Sequence, residues 1–295
     1  MFSNAQKSRV RDGMMAARPT GLSSATRLAR LARVLRDTCP PPMPKHIPQA
    51  LLVLLLMVVD QAWAQPSASS GGGTAAAPWL SQPAGSAEGP AAPWRVVGLP
   101  HQAKPFTRFS AVTQDGQRVL RVEAAASYGN LVHDLAQLPE SAHRLSWRWR
   151  LDEPNLGADL HRKDGDDSAL KVCALFDLPM SALPFGERQI LRLARLSSGE
   201  ALPSASVCYV WDSRLPPGTV LDNAFSRRIR LIVLRGPETP LHGWVSEQRD
   251  VGADFLHLFG DESKSVPPLV GVAVGADADN TLAHSVGFVA GFALE

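Results

Sequence analysis

The clearest pattern in the chain is a two-residue alternation at residues 144–151. Leu145, Trp147, Trp149 and Leu151 interleave there with Arg144, Ser146, Arg148 and Arg150. Side chains of a strand alternate between its faces, so this run predicts a strand with one apolar and one cationic face. A polar loop carrying acids from Asp159 to Asp167 follows, and then a second predicted strand over 169–176. Similar alternation, or short apolar runs bounded by Gly, Pro and Asp, predicts strands at 94–97, 106–112, 118–124, 130–135, 207–211, 228–235, 244–250, 269–276 and 284–294. Asp115-Gly116 between two of them reads as a hairpin turn. Phe185, Gln189, Ile190, Leu193, Ala194 and Leu196 instead follow helical spacing between Pro184 and Gly199. A shorter helix is predicted over 251–259, with Gly260 at its end. Many short strands, closely spaced turn signals and no strand–helix–strand alternation predict a mainly β fold: an antiparallel β-sandwich of jelly-roll type with one or two short helices.

Composition then sets the domain limits. Residues 65–93 are almost entirely Ala, Pro, Ser and Gly. Such a segment buries too little apolar surface to offset its ordering entropy, so a disordered tether is expected there and a single domain over 94–295. Further upstream, Met43-Pro44-Lys45-His46 precedes an apolar run at 50–59 and the small-x-small triplet Ala62-Trp63-Ala64. That order is the order of a secretory signal peptide over 43–64. The run is shorter than the ~20 residues of a membrane span, so a periplasmic or secreted protein with no span after cleavage near Ala64 is expected. Residues 1–42 read either as an over-extended start upstream of Met43 or as a long basic leader.

Charge removes one class of partner. The chain as a whole carries +2, but after residue 64 there are 21 Lys and Arg against 25 Asp and Glu, which leaves −4. Nucleic-acid binding needs a basic patch to neutralise phosphate, so it is not expected. Cys173 and Cys208 both fall in predicted strands. In an oxidising compartment they are either a disulfide or two buried thiols.

The candidate chemistry is polar. Arg148 and Arg150 form the cationic face, and Asp166 and Asp167 close the acidic loop. Either the acids neutralise these arginines across a sheet or the four line a ligand site. Trp211, beside Asp212 at a strand end, would stack on a sugar or fill the core. Arg249 would pair with Asp254 or a ligand carboxylate, and Asp250 stands where it would cap the following helix. Asp277 and Asp279 have the two-residue spacing of calcium loops without the twelve-residue loop, so a structural calcium competes with a plain Asx turn. No other cofactor is indicated. The sequence holds no Gly-x-Ser-x-Gly, no His-Glu-x-x-His and no phosphate loop, and its histidines lack metal-ligand spacing.

Several stretches recur in a known order: 145–149, 166–169, 208–212, 233–236, Trp244 with Arg249-Asp250, Asp254-Phe255 with Phe259-Gly260, and Asp277 with Asp279-Asn280-Thr281. Together they resemble a bacterial domain of unknown function, family 3047, found in exported proteins, over nearly all of 94–295. More loosely the chain resembles sugar-binding jelly rolls whose final strand carries an Asp. Here that strand reads Gly287-Phe288-Val289-Ala290-Gly291-Phe292, without a carboxylate. The resemblance implies the fold and the compartment and names no activity. The reading is therefore an exported β-sandwich that binds a polar small molecule or glycan. A saccharide hydrolase or lyase joining Asp167 to a second acid such as Asp250 or Asp279, and a structural envelope protein acting through protein contacts, are the alternatives.

Overall fold

The alternating and apolar runs fold as strands. The computed structural model describes residues 79–99, 101–136, 138–139, 142–198 and 201–295. The leader readings for residues 1–64, the first part of the tether at 65–78, and Gly199 lie outside the described residues. The strands are β1 (Arg95–Val97), β2 (Arg108–Gln114), β3 (Gln117–Ala125), β4 (Asn130–Asp134), β5 (Arg144–Glu153) and β6 (Leu170–Phe176). They continue as β7 (Ala205–Trp211), β8 (Val220–Asp222), β9 (Ile229–Arg235), β10 (Val245–Asp250), β11 (Leu269–Gly275) and β12 (His284–Leu294). The helices are α1 (Phe185–Ser198) and α2 (Val251–Phe259).

Two sheets form, a seven-stranded one in the order β1-β4-β11-β6-β7-β9-β8 and a five-stranded one in the order β10-β5-β12-β3-β2. The chain crosses between sheets at β1 to β2, β3 to β4, β4 to β5, β5 to β6, β9 to β10, β10 to β11 and β11 to β12, which is the jelly-roll habit expected from the sequence. All pairings are antiparallel except β7 with β9. That exception follows from β8. The chain leaves β7, forms the outer edge strand β8, and hairpins back into the place beside β7. Asp115 and Gly116 both take positive φ, 51° and 75°, as the two-residue turn joining β2 to β3 requires.

The core lies between the sheets and is aromatic at its centre. Trp147 and Trp149 point inward from β5, and Tyr209 and Trp211 meet them from β7 at ring separations of 5.3 and 5.6 Å. Phe255 of α2 packs on Phe176 at 4.9 Å and fills the sandwich end. Cys173 and Cys208 stand directly opposite each other on β6 and β7 and form a disulfide.

Residues 79–93, read from composition as the end of a tether, pack on the sandwich. Leu80 is buried in the core. Gln82 exchanges two hydrogen bonds with the backbone of Phe292 in β12, at 2.6 and 3.1 Å. Arg118 donates to the carbonyls of Gly85 and Ala87. A few anchoring side chains thus satisfy a backbone whose own side chains offer little.

The periodic helix α1 is present, but its apolar face is turned outward. Leu191 is the helix's one buried residue, while Phe185, Ile190, Leu193 and Leu196 are exposed.

Candidate functional site

The five-stranded sheet carries the arginine face, and the structure gives that face a covering role. Val119, Val286, Phe288 and Ala290 form an apolar patch on its outer side. Arg150 lies over the Phe288 ring and bonds Asp152 and Asp115, while Arg148 stacks 4.8 Å from the Trp244 ring and bonds Gln117. The long stems roof the patch and their charged heads reach water or carboxylates. Neither arginine meets Asp166 or Asp167, because β5 belongs to one sheet and the loop before β6 lies against the other. The expectation that these charges face one another is corrected on that ground.

The other expected residues separate as well. Trp211 is 1% exposed and packs on Trp149, so it offers no stacking face to a ligand. Its parity on β7 matches Tyr209 and points inward. Arg249 donates to Asp254, which also accepts 2.7 Å from the buried Tyr209 hydroxyl. Burial, reinforced by Asp254, raises the Tyr209 pKa and keeps the phenol protonated. Asp250 caps α2 by accepting from the Ala253 amide at 2.9 Å. This trio ties α2 to the sheets.

Asp166, Asp167, Asp277 and Asp279 do converge, at one end of the outer face of the seven-stranded sheet. Asp167 is fully buried and accepts from the Thr281 amide and hydroxyl at 2.8 and 2.6 Å, pinning the 277–281 turn to the loop. Asp277 accepts from the Ser168 amide at 2.6 Å and from Lys171 at 2.8 Å. Asp279 pairs with Lys104 at 3.1 Å. Both calcium candidates are thus already held by ammonium groups, which a calcium ion would have to displace. Among the described residues no three His, Cys, Asp or Glu side chains gather as a metal set.

Around them stand residues that the motifs did not single out. Lys171 is half-buried, yet burial's push against its charge is overcome by Asp277, and its pKa is raised. Its ammonium lies 5.7 Å from the Tyr128 ring, and the Tyr128 hydroxyl accepts from Asn130 at 3.2 Å. Gly275 sits between Asn130 and Lys171 in the sheet. A Cβ there would meet Asn130 Oδ1 at 2.3 Å and Lys171 Cε at 3.0 Å, so the glycine is what lets these side chains close over β11.

Asp166 is the unusual member. It is 8% exposed, and Oδ2 accepts from Asn223 Nδ2 at 2.5 Å. Among the described residues it has no salt-bridge partner and Oδ1 accepts nothing. Burial pushes its pKa up to about 6. Asn223 opposes that push, the neighbouring Asp277 adds to it, and Lys171 offsets part of it. The Asn223 side chain also accepts from the amides of Phe225 and Ser226, which fixes the exposed Phe225 ring beside the cluster. Lys163 lies 5.4 Å from that ring.

The same sheet face extends away from the cluster in two halves. Over β7 and β9, Leu160 of the 154–168 loop packs on Cys173, Cys208, Val210, Leu231 and Val233 and closes the face. Over β4, β11 and β6 a groove of about 440 Å³ stays open, lined by Val97, Val132, Leu175, Val270 and Leu202. Arg95 with Asp134 and Arg195 with Asp177 flank it. Val132 and Asn130 are two residues apart on β4 and share this face, about 7 Å from each other. Groove and polar cluster thus lie on the same face of the sheet, with the buried Cys173 and Ala273 between them.

Residues 92–292 match the family described as protein of unknown function, DUF3047. The chain belongs to that family. No curated protein matches it in sequence. Among solved structures it is similar to the endoglucanase Cel12A of Rhodothermus marinus, with a TM-score of 0.36 and 12% identity, over 73% of this chain and 98% of that one. It is also similar to the xyloglucanase domain of NopAA from Sinorhizobium fredii in complex with cellobiose, at 0.32 and 9%, over 69% and 98%. Likeness at these scores describes none of this chain's chemistry. Within this DUF3047 domain, one missed site residue had a signal. Lys171 is the lone charge in the apolar run Leu170-Lys171-Val172-Cys173-Ala174-Leu175-Phe176. Tyr128, Asn130, Asn223 and Gly275 had none, since only the sheet order brings them together.

Proposed function

We propose that the outer face of the seven-stranded sheet binds a polar ligand of saccharide type, with Asp166 as its principal acceptor. The observation that supports this most is the state of Asp166. It is a nearly buried carboxyl with one oxygen held by Asn223 and the other accepting nothing among the described residues. The second oxygen is reached by solvent rather than sealed in, so an open carboxylate acceptor beside fixed polar groups favours a ligand hydroxyl or amide. Lys171, Asn130 and Tyr128 add donors nearby, Phe225 adds an exposed ring, and the groove adds room for an apolar flank. The protein is exported in this reading, which the Cys173–Cys208 disulfide supports.

The test is calorimetric titration of the full chain against a panel of neutral, amino and acidic oligosaccharides, with the Asp166→Asn and Asn223→Ala variants alongside. Binding that falls at least tenfold in both variants supports the site. Absence of binding across the panel, or variants that bind like wild type, would defeat the proposal.

A second reading rests on the same group. A carboxyl with a pKa of about 6 can hold and release a proton near neutrality, so Asp166 would serve as the acid of a hydrolase or lyase. Asp277 would not be its nucleophilic partner, because Ser168 and Lys171 occupy both its oxygens. Release of reducing ends from the bound saccharide, with a pH limb near 6 that disappears in Asp166→Asn, is the result this reading requires.

A further inference from the structure

The outward apolar face of α1 is unrelated to the proposed site. Phe185, Ile190, Leu193 and Leu196 are 73%, 70%, 68% and 82% exposed, on a helix that buries Leu191 alone. At about 100° per residue these four fall within an arc of roughly 140°, and Leu191 lies opposite its centre. Helices that serve only the fold turn such a stripe inward.

The residues beside the stripe say what kind of surface it fits. Arg188, Arg192 and Arg195 follow one another at i, i+4 and i+7 and form a basic row along the edge that carries Phe185 and Leu196. Arg195 is engaged by Leu202 O and Asp177. Arg188 donates to the carbonyls of Leu183 and Ser181, so its charge has no carboxylate partner among the described residues, and neither has that of Arg192. The helix's one acid, Glu187, is paired with Arg228 away from the stripe. An apolar stripe bordered by uncompensated arginines is the pattern of a helix that lies in a membrane interface. A second copy of the chain fits less well. Four side chains fall short of the ~800 Å² that each partner of a stable protein interface buries, and two copies would bring basic rows together.

The geometry points to α1 as a peripheral docking helix that lays Phe185, Ile190, Leu193 and Leu196 into an anionic lipid surface, with Arg188 and Arg192 on its phosphate groups. The domain would then work beside a membrane without crossing it.

The apolar run at residues 50–59 would itself adsorb to lipid, so the test reads α1 locally. In the full chain with Cys39→Ser and the Cys173–Cys208 disulfide intact, Leu193→Cys carries a polarity-sensitive fluorophore. Gln248→Cys, exposed on the opposite sheet, carries it in a control. With vesicles of 70% phosphatidylcholine and 30% phosphatidylglycerol, emission at 193 shifts to the blue and intensifies, while the probe at 248 stays unchanged. Adding Arg188→Gln or Arg192→Gln weakens this partitioning about fivefold each, and Ile190→Glu weakens it at least tenfold. All these positions are on the exposed half of the helix or its edge, and circular dichroism checks that each variant folds. A silent probe at 193 on anionic vesicles overturns the proposal. So does an equal response at 193 and 248. A change at 193 that follows protein concentration without lipid also overturns it, because the face is then an interface between chains.

Discussion

Asp166→Asn offers the sharpest stability test of the site. The carboxyl has a pKa of about 6 in the fold against an ordinary value of 3.8. The fold therefore holds the proton more tightly than the unfolded chain does. Above pH 6 the group ionises in both states, and burying that charge costs the fold about 3 kcal/mol at most, from 1.36 kcal/mol per pKa unit. Below pH 4 it is protonated in both states and costs nothing. Asparagine keeps an acceptor for Asn223 Nδ2 and carries no charge. The variant should be about 1–3 kcal/mol more stable than wild type at pH 8, with the gain fading between pH 6 and pH 4. Urea unfolding at pH 4, 5, 6, 7 and 8, with linear extrapolation, measures it. A pH-independent change, or a loss of stability at pH 8, would refute the placement of Asp166 as an unpaired buried acid. Gain of stability together with loss of saccharide binding would identify a residue kept for function at the fold's cost.

Three further outcomes follow from the same structure. Gly275→Ala drives a methyl group into Asn130 and Lys171, so it should lower stability by about 1–3 kcal/mol in urea melts and weaken binding through displaced side chains. Lys171→Met strands the buried Asp277 and should cost about 3–5 kcal/mol; Lys171→Met with Asp277→Asn should recover much of that, and additive losses in the double-mutant cycle would disprove the pairing. The Cys173→Ser and Cys208→Ser pair opens a loop whose ends are 35 residues apart, at a cost of about 4 kcal/mol on the chain-entropy scale, read as a lower urea midpoint; equal midpoints for wild type and the variant would contradict it.

The strands were legible because their information is local. Leu145, Trp147, Trp149 and Leu151 declare their shared face in eight residues, and the Asp115-Gly116 turn declares itself in two. Which sheet a strand joins is not local. β5 and β6 are neighbours in sequence and lie in different sheets, so Arg148 and Asp166 looked like partners and are not. β7 is buried on both faces, so its run of residues has no alternation from which the inward aim of Trp211 could be read. Helical spacing found α1 but says nothing of which side packs, and it is Leu191, opposite the apolar stripe, that does so. The pairing of Cys173 with Cys208 stayed open until β6 and β7 were neighbours in register. Of the site, Asp166, Asp167, Asp277 and Asp279 were visible as an acidic set. Their partners Lys104, Lys171 and Asn223 come from three strands or loops that only folding unites.

The double hydrogen bond between Gln82 and Phe292 brings the beginning of the folded unit beside its last strand. Its two ends can therefore be spliced by a short linker and new termini opened elsewhere, for example in the exposed turn at Pro237–Glu238. Such a permuted chain would keep every strand pairing while changing the order in which they are synthesised. β12 is central in its sheet, between β5 and β3, so the natural order withholds the middle of that sheet until the eleven other strands have been made. Moving β12 to the front would show whether the domain has to wait for its own end before it can fold.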